Sequence, residues 1–202
     1  MFHRRRIMAR MDPLAVPRLD RPGPRSPSAG DLLIAAPGMS DPRFRRAVIY
    51  LLQNDDEGSA GVVLTRRYGG DLSGLDLPQW LLDGAVVHEG GPVAEDSLLA
   101  LADRATAPAH LCRSVGPGIC VVDLDGVADA EPFQPLQLFV GYAGWGAGQL
   151  ESELARHDWL VVSSDPFDVL ATDPEKVWAK VLRRQPGVIR LWATLPPAAD
   201  RN

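Results

Sequence analysis

Few side chains in this 202-residue chain are able to do chemistry, with only four histidines and two cysteines present. His88 and Glu89 adjoin Gly90-Gly91. Neighbours on a strand point to opposite faces, so the two cannot chelate one ion together. No HExxH or CxxC pattern exists, and neither a metal nor a cofactor is expected. His88 could serve as a general base, although a partly buried structural histidine is the simpler role. Cys112 stands near His110 and Arg113, whose charge favours a thiolate, so it is a candidate reactive thiol. Cys120, between Ile119 and Val121, reads as inert core. Their spacing of eight fits neither a redox nor a zinc pair, and two cysteines exclude a disulfide scaffold. No GxSxG elbow occurs, and Ser163-Ser164-Asp165 reads as a loop opening before Pro166. No residue is assigned as catalytic.

The richest local feature is Gly141-Tyr-Ala-Gly-Trp-Gly-Ala-Gly-Gln-Leu-Glu151. Its glycines permit positive φ, and the helix expected behind them would offer free N–H groups to an anion. The spacing matches neither dinucleotide nor P-loop fingerprints, and Glu151 and Glu153 would repel phosphate. A ligand or partner site is placed on Gly144, Trp145, Gly146, Gly148, Gln149 and Glu151, with Gly90, Gly91 and Pro92 beside them. Trp145 either caps the core or presents a stacking face; the core role is favoured. The segment Gly144–Gly148 is expected to fold over the sheet beside Gly90–Pro92, with Trp145 covering the junction.

Short apolar runs at 32–36, 47–53, 60–65, 85–89, 97–102, 118–124, 137–142 and 159–163 read as strands, the second and third forming a hairpin around Asn54–Gly58. Helices are expected at 78–83, at 149–157 and from Asp173, where Asp173 caps and Pro174 opens the first turn. Residues 105–115 read as loop and 188–195 as a closing strand or helix, the strand being favoured. Strands without strict βαβ alternation define an α+β domain with a mixed, mostly antiparallel sheet.

Charge divides the chain. Residues 1–30 carry seven arginines, two acids and five prolines, a net +5, and are expected to be a disordered tail. Residues 31–202 carry −10, which opposes specific nucleic-acid binding. The domain is expected over 31–195, with a short tail at 196–202. No apolar run reaches the ~18 residues of a membrane helix, and no apolar segment follows Arg4-Arg5-Arg6, so a cytoplasmic protein, without membrane partners and monomeric, is expected.

Three blocks together resemble the bacterial YqgE/AlgH family: Leu33-Ile-Ala-Ala-Pro-Gly-Met-Ser-Asp-Pro-Arg-Phe-Arg-Arg-Ala-Val48, Gly90-Gly-Pro-Val93, and Gly141 to Leu154 with Trp159. The resemblance spans about residues 31 to 192. It implies a compact α+β domain with a bent sheet forming a pseudo-barrel, and no known reaction. Some members carry a label as transcriptional regulators of exopolysaccharide synthesis. Asn54 stands where the family often has His, Thr65-Arg66-Arg67 where it has Asn-Arg-Pro, and 98–102 lacks a family His. A non-enzymatic binding or regulatory protein with an unidentified protein or small-molecule partner is therefore expected. The alternative is a hydrolase or thiol-dependent enzyme using Cys112 or His88.

Overall fold

The structure is a computed structural model that describes residues 25–72, 74 and 77–196. Expectations for the tail before residue 25 and after residue 196 lie outside these residues. Residues 25–30 rest on the body: Arg25 pairs with Asp31 at 2.7 Å and donates to Ser163 Oγ at 2.9 Å.

Nine strands form one sheet: β1 (Asp31–Ala35), β2 (Val48–Asp55), β3 (Gly58–Val63), β4 (Val86–Glu89), β5 (Val93–Asp103), β6 (Cys112–Gly116), β7 (Ile119–Val122), β8 (Leu136–Gly146) and β9 (Trp159–Ser163). Their order is β6-β7-β5-β8-β3-β2-β1-β9, and every pairing on that path is antiparallel. Only β4 runs parallel, to β8. The helices are α1 (Gln79–Gly84), α2 (Gln149–Ala155), α3 (Pro166–Val169) and α4 (Pro174–Arg183). This is the expected α+β domain.

The sheet curls until its β6 edge reaches β2 and the start of β1. Tyr50 Oη on β2 donates to Val115 O on β6 at 3.1 Å, and Gly30 lies against the backbone of Val115 and Gly116. The bent pseudo-barrel implied by the family resemblance is thus present as a half-barrel. β1 is buried along its whole length, as its unbroken apolar run requires. Its side chains divide by alternation. Leu32 and Ile34 join Tyr50, Phe139 and the α4 residues Trp178, Val181 and Leu182 in one cluster. Leu33 and Ala35 join Ile49, Trp145, Leu150 and Trp159 in another on the opposite face. A third gathers Leu81, Ala100, Cys120, Leu136 and Leu138.

Three local expectations are corrected. Residues 188–195 are not a strand; Gly187–Thr194 is 3₁₀ helix, and its Ile189 and Ala193 are buried in the same cluster as the α4 residues. Residues 105–115 are not all loop: a 3₁₀ turn at Ala109–Leu111 leads into β6. The glycine segment after 142 is not a loop, since β8 continues through Gly146. At α4, Pro174 opens the helix as expected, but Asp173 makes no capping hydrogen bond and instead pairs with Lys176.

Candidate functional site

β8 changes neighbours at Gly141. Gln137–Val140 pair with β4, while Ala143–Gly146 pair with β3. Gly141 takes φ +68°, and a Cβ there would strike the carbonyls of Gly91 and Val93. Gly90 and Gly91 are equally constrained, lying on the backbone of Gly141 and Tyr142. Only glycine permits that approach. The segment that meets Gly90 and Gly91 is Gly141–Ala143 rather than the expected Gly144–Gly148.

Beside it β5 bulges. Val93 pairs with Tyr142 and Leu98 with Val140, so residues 94–97 have no ladder partner on β8. Val93, Ala94, Glu95 and Asp96 are all exposed. Ala94 holds φ +48°, a left-handed conformation that costs a residue with a Cβ. Ser97 Oγ donates to Ala94 O at 2.8 Å and steadies the turn. Gly144 lies alongside, where an added Cβ would come 3.7 Å from the Val93 side chain. The sequence reading missed Ala94–Asp96; Ala-Glu-Asp-Ser is a polar break in an otherwise apolar strand and was the available signal.

Trp145 points the other way. Alternation along β8 sends Ala143 and Trp145 inward and leaves Tyr142 and Gly144 on the bulge side. Trp145 is 6% exposed, so the core role holds. It does not cover the Gly90–Pro92 junction; it packs edge-on against Trp159 at 6.0 Å. Both indole N–H groups donate to Glu153 Oε2, at 2.9 and 2.8 Å. Gln149 Nε2 donates to Glu153 Oε1 at 3.0 Å, and Gly146 N donates to Gln149 Oε1 at 3.2 Å. From the sequence Glu153 was read only as repelling phosphate, yet it ties β8, α2 and β9 together. Gly148 precedes α2 at φ +71°, and Glu151 is exposed in its first turn. The nine proposed site residues therefore divide. Gly90, Gly91, Pro92 and Gly144 border the bulge, Trp145, Gly146 and Gln149 belong to the Glu153 clasp, and Gly148 and Glu151 lie at the start of α2.

His88 is 1% exposed and stacks on Phe139 at 4.6 Å. Its Nε2 lies 3.0 Å from Gln137 Oε1, an acceptor, which places the proton on Nε2. Burial pulls its pKa from 6.5 to about 4; the Gln137 hydrogen bond opposes this, and the nearby Arg67 charge adds to it. The imidazole is neutral and enclosed, the structural role rather than that of a base facing substrate.

The expectation of a reactive thiol at Cys112 and an inert one at Cys120 is overturned. The two form a disulfide, with Cα atoms 5.5 Å apart, and no free cysteine remains among the described residues. Ser114 pairs with Cys120 and Cys112 with Val122, so the cysteines sit diagonally across the β6–β7 hairpin. Gly116-Pro-Gly118 between them was the legible hairpin signal, hidden by reading 105–115 as loop. Among the described residues, no three His, Cys, Asp or Glu side chains converge on a possible metal position.

Positions that depart from the family pattern serve the frame here. Asn54 donates to Pro27 O at 3.0 Å and accepts from Ser59 Oγ at 2.5 Å. Arg66 donates to Pro42 O at 2.8 Å, and Arg67 to Thr172 O at 3.4 Å.

The curled half-barrel with its helices is a fold already represented among bacterial proteins. The family model described as AlgH-like matches residues 32–190. A UPF0301 protein of Streptomyces avermitilis is 44% identical over 183 residues, covering 86% of this chain and 94% of the relative. One from Rhodococcus erythropolis is 40% identical over 185 residues, with 86% and 90% covered. A Corynebacterium diphtheriae crystal structure superposes with TM-score 0.73 at 27% identity, covering 85% and 94%. The solution structure of AlgH from Pseudomonas aeruginosa gives 0.64 at 27% identity, covering 87% and 99%. The chain belongs to the AlgH-like, UPF0301 family.

Proposed function

We propose that this chain is a non-enzymatic, cytoplasmic binding protein with a regulatory role, and that it meets a protein partner through the raised segment Val93–Asp96. The observation that carries this reading is the glycine-held bulge. Close approaches at Gly90, Gly91 and Gly141 anchor Val93 in the ladder and leave the exposed Ala94, Glu95 and Asp96, the first in a left-handed conformation, without ladder partners on β8. Backbone held in so unfavourable a state belongs with recognition rather than with packing. Glu95 and Asp96 on the segment, and a body of net −10, favour a partner with basic side chains and oppose specific nucleic acid. Among the described residues no helix is long and apolar enough to cross a membrane.

A photoreactive phenylalanine placed at Glu95, and as control at exposed Asp125, tests this in cells. A discrete protein adduct from position 95 and none from 125 is expected. Equal or absent crosslinking at both positions removes the bulge as a contact surface.

A further inference from the structure

We propose that Cys112 and Cys120 are a reversible dithiol/disulfide couple that fastens and releases the β6 edge of the sheet. The hairpin brings the two Cα atoms to 5.5 Å, within the range a disulfide spans. The two cysteines are unequal in exposure. Cys120 is fully buried among Leu81, Leu136 and Leu138. Cys112 is partly exposed and lines an open cavity of about 420 Å³ with Asp103, Arg104, Ser114 and Gly118.

That asymmetry sets the order of the exchange. A thiolate of a dithiol reductant enters at Cys112 Sγ and forms a mixed disulfide there. The bond to Cys120 breaks, and the Cys120 sulfur leaves with the electron pair and takes a proton. The reductant's second thiolate then attacks its own sulfur in the mixed disulfide and frees Cys112, which is protonated in turn. Two electrons and two protons pass to the protein, and the reductant becomes a cyclic disulfide. The reverse reaction consumes that oxidised dithiol.

Position in the sheet gives the bond its consequence. β6 is a terminal strand, laddered only to β7. It also carries Val115, whose carbonyl receives Tyr50 Oη at the seam where the sheet closes. With the disulfide intact, β6 is held at both the ladder and the crosslink. Once reduced, it retains a short ladder and the seam contacts alone. Local opening there bares Leu111 and Val115, both now buried.

Hydrogen exchange followed by mass spectrometry, on the full chain equilibrated with oxidised or reduced dithiothreitol, decides the matter. The oxidised protein should resist thiol alkylation and weigh two hydrogens less. On reduction, peptides covering 109–117 should exchange about tenfold faster or more, while β2 and β3 stay protected. Cys112→Ser should reproduce the reduced pattern, with Cys112→Ala as the second variant if the first misfolds. Alkylation of both cysteines after the oxidising treatment overturns the proposal. So does unchanged exchange at 109–117, or equal acceleration throughout the sheet, which would make the bond a global staple.

Discussion

Replacing Trp145 by alanine removes three things the structure assigns to one side chain. The indole is 6% exposed, it meets Trp159 edge-on at 6.0 Å, and its N–H donates to Glu153 Oε2 at 2.9 Å. Truncating a buried tryptophan costs about 3–5 kcal/mol through lost burial and the cavity left behind. Glu153 keeps its bonds from Trp159 and Gln149, so its carboxylate is not orphaned and the electrostatic part stays small. Trp145→Phe retains most of the ring and loses the donor, and should cost about 1–2 kcal/mol. In urea, with a slope of about 2 kcal/mol/M, Trp145→Ala should lower the midpoint by about 1.5–2.5 M. Trp178→Ala is the control for a core tryptophan, being 2% exposed with its N–H on Ala35 O at 3.2 Å. A midpoint for Trp145→Ala within about 0.5 M of wild type, beside a large shift for Trp178→Ala, would refute the clasp as a structural element.

Two further outcomes follow from single residues. His88 has its pKa lowered from 6.5 to about 4 in the folded state, so as pH falls through 6.5 the unfolded chain takes up a proton that the folded chain refuses; stability should drop between about pH 6.5 and 4 by up to about 3 kcal/mol. His88→Gln should flatten that difference in paired urea titrations, and parallel curves would count against it. Gly141→Ala, with φ +68° and carbonyls of Gly91 and Val93 in the way, should cost about 3 kcal/mol or more, whereas Gly146→Ala, open on that side, should stay within about 0.5 kcal/mol; equal melting temperatures for the two would contradict the close approach.

Much of the architecture is legible because burial writes a period into the residues. The β2–β3 hairpin is readable from two apolar runs around Asn54–Gly58, and its register bears this out. α4 is readable from Pro174 and a one-sided apolar face. What is illegible depends on partners in other elements. Residues 188–195 have strand-like composition, yet no strand position remains for them once Ile189 and Ala193 lie on α4. The Glu153 clasp joins residues only four to eight apart, yet they come from a strand, a helix and the next strand, so no single period marks them. Cys112 and Cys120 read as unrelated because their relation depends on pairing across β6 and β7 rather than on spacing.

The glycine block takes its meaning from the bend in β8 rather than from any ligand fingerprint. Up to Val140 the strand lies between β5 and β4, and from Ala143 its inner neighbour is β3. Such a change of neighbour requires a kink, and Gly141 supplies it with a positive φ. At the kink Gly141 alone stands between two paired positions of β8, and the four β5 residues 94–97 opposite it stand out as the bulge before Val93 pairs with Tyr142. Beyond the kink, alternation sends Trp145 inward to the clasp and leaves Gly144 beside Val93. One local necessity thus produces both halves of the block: an inward half that fixes α2 and β9, and an outward half that presents Val93–Asp96. If the proposed partner docks there, a segment already held by the glycine contacts would forgo much of the entropic cost of ordering a loop.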